Sequence, residues 1–292
     1  MTQLDRPQFS DIDAYGVTHT GNVRSENADH FFVGALARGV TVDATSIDDE
    51  GRSVLNAERL ASIAVVADGV GSAEGGEEAA RTAVTGLIAS LSRAYHQAEV
   101  AESSDPEVFS RLLHDAALTC HEKLLDRAEQ EGGARRFATT LTAFLGLWPH
   151  AYLLQLGDSR CYVYRDGSLT QITRDQTLAQ ELVDQGVLSR TLAENSRWAH
   201  VLSSAVGGDE AAPVVTRLVR DWGTVVLLCS DGLTKHVSDE LIRKRLAHMT
   251  SSRQAAEQLL QDALDDGGTD NITIVVGRTL PQTDGPQEDD HA

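Results

Sequence analysis

Four aspartates of this chain each stand at the end of an apolar, strand-like run of residues. They are Asp29, Asp68, Asp231 and Asp270, and no single motif contains them all. A carboxylate at the end of a buried strand is costly unless another group balances its charge. Because the four are spread along a chain of 292 residues, they predict a fold in which distant strand ends converge on one metal site. Such a site favours an enzyme.

The acidic composition and the cysteines argue against several classes of protein. A formal net charge of −19 speaks against a nucleic-acid partner, because binding the phosphate backbone needs a basic surface. Cys120, Cys161 and Cys229 form no C-x-x-C pair and no disulfide framework, which favours a reducing compartment. The N-terminus lacks an apolar signal core, and no apolar run approaches the roughly 20 residues of a membrane span. We therefore predict a cytoplasmic protein without a membrane span.

Strand-like runs recur along the chain, with helical segments between groups of them. Asp105-Pro106-Glu107 is a strong helix start, Ser251 to Gln254 form a capping box, and Asp166-Gly167 predicts a hairpin turn. The strand-like runs fall near 14–19, 30–36, 61–67, 138–147, 150–156, 160–165, 214–219, 223–229 and 272–277. Strands clustered between pairs of helices favour antiparallel sheets covered by helices over alternating βαβ units.

The same pattern predicts one main domain with short flanking segments. We expect an N-terminal extension over 1–13, a domain over 14–279 and a disordered acidic tail over 280–292. Within the domain, residues 37–60 are polar and predict an inserted loop or hairpin. Residues 176–206 predict a flap-like excursion between strands.

The glycine-rich segment from Asp68 to Gly76 has the order strand, turn, helix. A dinucleotide-binding fingerprint would need glycine at position 74, where this chain has Glu74, so that interpretation fails. The alternative is a metal site in which the Asp68 carboxylate and the Gly69 carbonyl supply the oxygen ligands that Mg²⁺ and Mn²⁺ prefer. Taken alone, the segment fits a plain Asp-Gly turn equally well.

Other possible sites are weaker or excluded. Asp231, like Asp68, follows an apolar strand and precedes a glycine, but a single aspartate is more often a turn residue or helix cap than a ligand. Ser159 is not an esterase nucleophile, because G-x-S-x-G needs glycine where Cys161 stands. The histidines show no zinc-type pairing. The joint pattern of aspartates therefore carries the prediction.

Taken together, these segments resemble the metal-dependent PPM family of serine/threonine protein phosphatases, also called PP2C-type, and in particular its bacterial members. The resemblance runs from about Tyr15 to about Arg278. The matching motifs are Gly21–Asp29 (G-x-x-R-x-x-N-x-D), Asp68–Gly71 followed by Gly76-Glu77, Phe137–Leu141, Gly157–Arg160, Ser230–Leu233 and Asp270–Thr273. The family implies an α+β fold, a four-layer αββα sandwich with two central antiparallel sheets flanked by helix pairs and a metal cleft at one end.

The resemblance also implies ligands for two Mn²⁺ or Mg²⁺ ions. By matching positions, Asp68 bridges both ions, and the Gly69 carbonyl, Asp231 and Asp270 complete the shell. Asp29 contacts the second ion, partly through water.

Two further residues match positions outside that principal shell. Asp158 matches a residue that helps hold a third, weaker ion in bacterial members. Arg24 matches the family's phosphate-binding arginine. In the implied reaction, a hydroxide bridging the ions attacks the phosphorus of phosphoserine or phosphothreonine in proteins. Arg24 grips two phosphate oxygens, so Arg24 and Asp68 are the candidate catalytic residues.

Three positions depart from the family pattern. Ala28 stands where many members have glutamate, Val70 where animal members have histidine, and Gln176 where histidine is usual. The implied partners are phosphoproteins, in opposition to a serine/threonine kinase, and we expect a monomer. Two alternatives stay open: a regulatory module that binds without turnover, and a hydrolase of small phosphate esters.

Overall fold

Two five-stranded antiparallel sheets form the centre of the molecule. The computed structural model describes residue 7 and residues 9–38, 58–71, 73–95, 106–133, 137–194 and 196–280. The strands are β1 (Ile12–His19), β2 (His30–Arg38), β3 (Glu58–Ala67), β4 (Gly69–Val70), β5 (Ala138–Thr139), β6 (Leu141–Leu147), β7 (His150–Leu156), β8 (Arg160–Arg165), β9 (Ser168–Gln171), β10 (Val214–Val219), β11 (Val225–Cys229) and β12 (Ile272–Thr279). One sheet has the strand order β1-β12-β11-β8-β9 and the other β10-β7-β6-β3-β2. Strands β4 and β5 pair separately.

Helices cover the outer face of each sheet. The helices are α1 (Ala73–Tyr95), α2 (Pro106–Gln130), α3 (Leu178–Asp184), α4 (Arg190–Glu194), α5 (Asp231–Thr234), α6 (Asp239–Ala247) and α7 (Ser252–Asp265), with a 3₁₀ turn at Phe9–Asp11. Helices α1 and α2 pack on the sheet that contains β3, and α6 and α7 on the sheet that contains β12. The order of layers is therefore helix, sheet, sheet, helix.

The burial of β3 shows why the sheets stack. Ile63, Val65 and Ala67 face α1 and α2, whereas Ala64 and Val66 face the other sheet. Since both faces of this strand are covered, its sequence is apolar without alternation from Ile63 to Ala67. Three apolar cores result: one beneath α1 and α2, one beneath α6 and α7, and one between the sheets.

The predicted four-layer αββα sandwich is confirmed. The hairpin at Asp166-Gly167 joins β8 to β9, with φ of 49° at Asp166 and 82° at Gly167. Ser251 caps α7, where its hydroxyl accepts the N–H of Gln254. Most of the predicted 37–60 insertion and nearly all of the 280–292 tail lie outside the described residues. No helix in the described part of the chain is long and apolar enough to cross a bilayer.

Candidate metal centre

The strand register brings the predicted aspartates to one end of the sandwich. In one sheet, the start of β2 pairs with the end of β3, His30 opposite Ala67. In the other, the end of β11 lies beside the starts of both β8 and β12, with Cys229 opposite Arg160 and Ile274. The five candidates flank these ends: Asp29, Asp68, Asp158, Asp231 and Asp270. Antiparallel pairing thus gathers residues that are far apart in the sequence.

Two threonines fix the backbone that carries Asp68. The amide of Asp68 donates to Thr140 Oγ1 at 2.9 Å, and its carbonyl accepts from the amide of Thr140 and from Thr139 Oγ1, each at 2.9 Å. Next to it, the first turns of α1 pack directly on β4, and a Cβ at Gly69 would collide with the backbone of Gly76. Glycine is required on both sides of this contact.

A second close approach places Asp231 beside Asp270. Asp231 opens α5 directly after β11, and a Cβ at Gly232 would collide with the carbonyl of Asn271. The Asn271 side chain accepts the amide of Ala28 at 2.8 Å, which holds the Asp29 loop to the start of β12. Gly232 and Asn271, which belong to the matching motifs, therefore hold the parts of the site together.

Asp29 is 3% exposed, and only one of its two carboxylate oxygens has a hydrogen-bond partner among the described residues. Ser230 Oγ donates to its Oδ2 at 2.7 Å, whereas Oδ1 is buried without a hydrogen-bond partner among the described residues. Burial raises the pKa of Asp29 to about 6, against the opposing hydrogen bond from Ser230. Its surroundings therefore disfavour the ionised form unless a cation is near.

Asp158 lies in the turn between β7 and β8. The amide of Gly157 donates to Gln176 Oε1 at 2.7 Å, and Gln155 Nε2 donates to the Gly157 carbonyl. Gln176, one of the three departures from the family pattern, thus holds the turn in place. Burial, and then the charge of Asp231, raises the pKa of Asp158 to about 7.

The carboxylates repel one another. The surrounding protein removes the Asp68 carboxylate from water and raises its pKa well above the ordinary value, and the charges of Asp29, Asp231, Asp158 and Asp270 raise it further. The structure therefore brings all five aspartates into one electrostatic cluster. A bound cation would relieve this repulsion.

Two cations of the chain contact Asp270. Arg24 Nε lies 2.8 Å from Asp270 Oδ1 and its Nη2 lies 3.0 Å from Oδ2, while Lys235 Nζ lies 2.7 Å from Oδ2 and 2.6 Å from Asp231 Oδ2. Burial alone would raise the pKa of Asp270, but the hydrogen bonds from Arg24 and Lys235 hold it below its ordinary value. The prediction from sequence did not include Lys235. Its position four residues after Asp231 in a helical turn was a usable signal, because side chains at that spacing are neighbours.

His200 was also missed. It belongs to the 176–206 segment, and its Nδ1 lies 3.9 Å from Asp231 Oδ2. Ligand atoms of Asp158, His200 and Asp231 lie within 4.8 Å of one another. A single histidine in an irregular loop carries no spacing pattern, so the sequence offered no signal for it.

The residues present fit divalent ions of the Mg²⁺ and Mn²⁺ type. The candidate ligands are carboxylates and one backbone carbonyl, the oxygen donors that such ions prefer. Asp231 Oδ1, like Asp29 Oδ1, is buried with no hydrogen-bond partner in the described ranges. Buried carboxylate oxygens without donors are costly, and a metal ion would satisfy them.

The fold and the site define a class: an αββα sandwich with an acidic metal centre at one end of its two sheets. A family model described as protein phosphatase 2C matches residues 42–266. The chain belongs to the protein phosphatase 2C family.

Two curated relatives and one solved structure show the extent of the likeness. The serine/threonine protein phosphatase PstP of Mycobacterium tuberculosis is 35% identical over 74% of this chain and 40% of its own length. The serine/threonine phosphatase stp of Listeria welshimeri is 31% identical over 75% of this chain and 86% of its own. A crystal structure of the catalytic domain of PstP in complex with two manganese ions is 30% identical, with a TM-score of 0.70, over 92% of this chain and 98% of that one. The chain thus spans well under half of the full length of PstP.

Proposed function

We propose that this chain hydrolyses phosphoserine and phosphothreonine in proteins with the help of two divalent ions. The observation that carries the proposal is the convergence of five aspartates next to an exposed arginine. Two of the aspartates have a buried oxygen that finds no hydrogen-bond partner among the residues the structure describes. The family membership supports the same activity.

The chain's own residues divide the work of holding the ions. Asp68 lies at the centre of the cluster and is the bridging candidate, with the Gly69 carbonyl, Asp231 and Asp270 beside it. Asp29, held by Ser230, supports the second position, and Asp158 a third. Two Mn²⁺ or Mg²⁺ ions held there would supply Lewis-acid activation of water and would neutralise charge on the phosphate.

Arg24 is the candidate anchor of the substrate phosphate. Its side chain is 57% exposed, and its Nε lies 2.8 Å from Asp270 Oδ1. The planar guanidinium offers two parallel donors, which match two oxygens of a phosphate as well as those of a carboxylate. Arg24 would therefore exchange Asp270 for the phosphate and orient it over the metal centre, where its charge also stabilises the transition state.

The biological setting is proposed on the same basis. The substrates are phosphoproteins, the activity opposes a serine/threonine kinase, and the enzyme acts as a cytoplasmic monomer without a nucleic-acid partner. The catalytic domain comprises residues 14–279, and the segment 176–206, which supplies His200 beside the cluster, forms its flap.

Hydrolysis of phosphopeptides tests the proposal. The protein, stripped with EDTA and reloaded with Mn²⁺, should release phosphate from phosphoserine and phosphothreonine peptides and lose this activity when EDTA is added again. A panel of small phosphate esters is the matched comparison. Higher kcat/KM on the small esters than on every peptide would indicate a small-ester hydrolase, and Mn²⁺ binding without turnover of either would indicate a regulatory module.

A further inference from the structure

Both oxygens of Asp270 are already occupied by donors of the chain. Oδ1 accepts the amide N–H of Asn271 at 2.9 Å and lies 2.8 Å from the charged Arg24 Nε. Oδ2 accepts from Arg24 Nη2 at 3.0 Å and from Lys235 Nζ at 2.7 Å. If Asp270 is a metal ligand, as the proposed function requires, at least one of these donors must leave when the metal enters.

Lys235 occupies the more protected position of the two cations. Its side chain is 24% exposed, against 57% for Arg24. Its ammonium bridges Asp231 Oδ2 at 2.6 Å and Asp270 Oδ2 at 2.7 Å. These are short, charge-assisted contacts, and they join two residues that are both candidate metal ligands. The ammonium therefore lies where a cation held by those two oxygens would lie.

We propose that Lys235 is a built-in competitor of the divalent ion at Asp231 and Asp270. It neutralises the two carboxylates when no metal is bound, and it must move away before an ion can be coordinated by both. Lys235 thereby weakens metal binding and sets the metal concentration at which the enzyme becomes loaded. The inference rests on the metal site of the proposed function and adds a residue that determines its affinity.

The structure gives the displaced side chain a place to go. A cavity of about 630 Å³ opens beside the cluster. Its lining includes Lys235, Asp158, His200 and Asp231. Lysine carries its charge on a flexible four-carbon stem, so the ammonium can turn into this cavity without a change in the helical turn. Once an ion is bound, repulsion between like charges favours that move.

The test compares Lys235→Met with the wild type after removal of metal by EDTA and dialysis. Methionine keeps much of the length and apolar stem of lysine and removes the charge. Mn²⁺ binding is measured by isothermal titration calorimetry, with free Mn²⁺ counted by electron paramagnetic resonance. We expect the Kd to fall by about tenfold or more, the scale on which groups around metal ligands change affinity. Lys235→Arg, which keeps the charge, should retain weak binding, and Lys244→Met, an exposed lysine of α6, should match the wild type.

Thermal unfolding separates a competitor from a structural ion pair. If Lys235 competes with the metal, Lys235→Met should lower the Tm in EDTA but not in saturating Mn²⁺, so that the metal-induced rise in Tm becomes larger. An equal loss of Tm in both conditions, or a Kd that is unchanged or higher, would overturn the inference. Either result leaves the proposed function standing if the wild type still hydrolyses phosphopeptides with Mn²⁺. Failure of the wild type to bind Mn²⁺ would overturn both proposals.

Discussion

Two neighbouring groups of charge in this molecule are built in opposite ways. One is the aspartate cluster at the end of the sandwich, and the other is the ion pair between Arg160 and Asp175. Both oxygens of Asp175 accept donors: Oδ1 from Arg160 Nε at 3.0 Å and Gln171 Nε2 at 3.1 Å, and Oδ2 from Arg160 Nη2 at 2.7 Å. Arg160 also donates to the hydroxyl of Tyr162, which in turn donates to Asp239.

The aspartate cluster lacks this completeness. Asp29 Oδ1 and Asp231 Oδ1 have no donor in the part of the chain that the structure describes. Burial, and then repulsion from the other carboxylates, raises the pKa of Asp68. A buried charge with a full set of partners stabilises the framework, whereas one that lacks partners costs free energy until a ligand arrives. Incomplete hydrogen bonding therefore marks the functional group of charges.

The largest effect is expected when the incomplete group loses a ligand. Asp231→Asn should lower Mn²⁺-dependent hydrolysis of a phenyl phosphate about a thousandfold, equivalent to ~4 kcal/mol of transition-state stabilisation. The fold should persist, because the amide removes one of the repelling charges. Steady-state kinetics and urea unfolding in EDTA measure the two properties. Activity that survives both the substitution and chelation would rule out the two-metal mechanism.

A loss of stability is expected when the ion pair between Arg160 and Asp175 is broken. Asp175→Asn leaves the Arg160 guanidinium without its counter-charge and should lower the free energy of unfolding by about 3 kcal/mol. Urea unfolding in EDTA measures the loss. Asp166→Asn, at an exposed hairpin turn, is the matched control and should change stability by less than about 0.5 kcal/mol. If Asp175→Asn were as stable as this control, the distinction between the two groups would fail.

The pH dependence of stability is a test of the aspartate cluster. In the folded protein, burial raises the pKa of Asp29 to about 6 and that of Asp158 to about 7, whereas an unfolded aspartate titrates near 3.9. Between these values the folded state holds more protons, so the free energy of unfolding falls as the pH rises. Without metal, we expect a loss of up to about 4 kcal/mol from pH 5 to pH 7.5.

Urea unfolding at several pH values in EDTA checks this sign. Asp29→Asn should make the slope of stability against pH shallower, because it removes one of the carboxyls whose pKa burial raises. Saturating Mn²⁺ should reverse the trend, since metal binding requires ionised carboxylates and strengthens with pH. Stability that increased from pH 5 to pH 7.5 in EDTA would contradict the expectation.

The sequence predicted the layers and the aspartates because both depend on local patterns. The runs that became β3 and β12 have continuous apolar stretches, Ile63–Ala67 and Ile274–Val276. Each strand packs against helices on one face and against the other sheet on the opposite face. Asp68 and Asp231 stand out because glycine must follow them where two backbones meet. Those signals are contained in a few consecutive residues.

The contacts of Lys235, His200 and Arg24 could not be predicted in the same way. Each depends on where a turn or loop lies relative to a strand end that is distant in sequence. Lys235 is four residues from Asp231 but 35 from Asp270, and only the fold places its ammonium between them. The pairing of Arg24 with Asp270 joins residues 246 positions apart. Patterns of hydrophobicity carry no information about such encounters.

The smallest effect is expected at the exposed edge of the incomplete group. Arg24→Ala should raise KM for phosphopeptides about tenfold, or ~1.4 kcal/mol, because the phosphate loses a two-donor partner. Arg24→Lys should not restore KM, since an ammonium cannot present the planar fork. Calorimetric titration with Mn²⁺ is the accompanying measurement. The Kd should stay the same or fall, because each oxygen of Asp270 loses one competing contact when Arg24 is removed. A large loss of Mn²⁺ affinity in Arg24→Ala would instead show that Arg24 supports the metal ligands and does not anchor the phosphate.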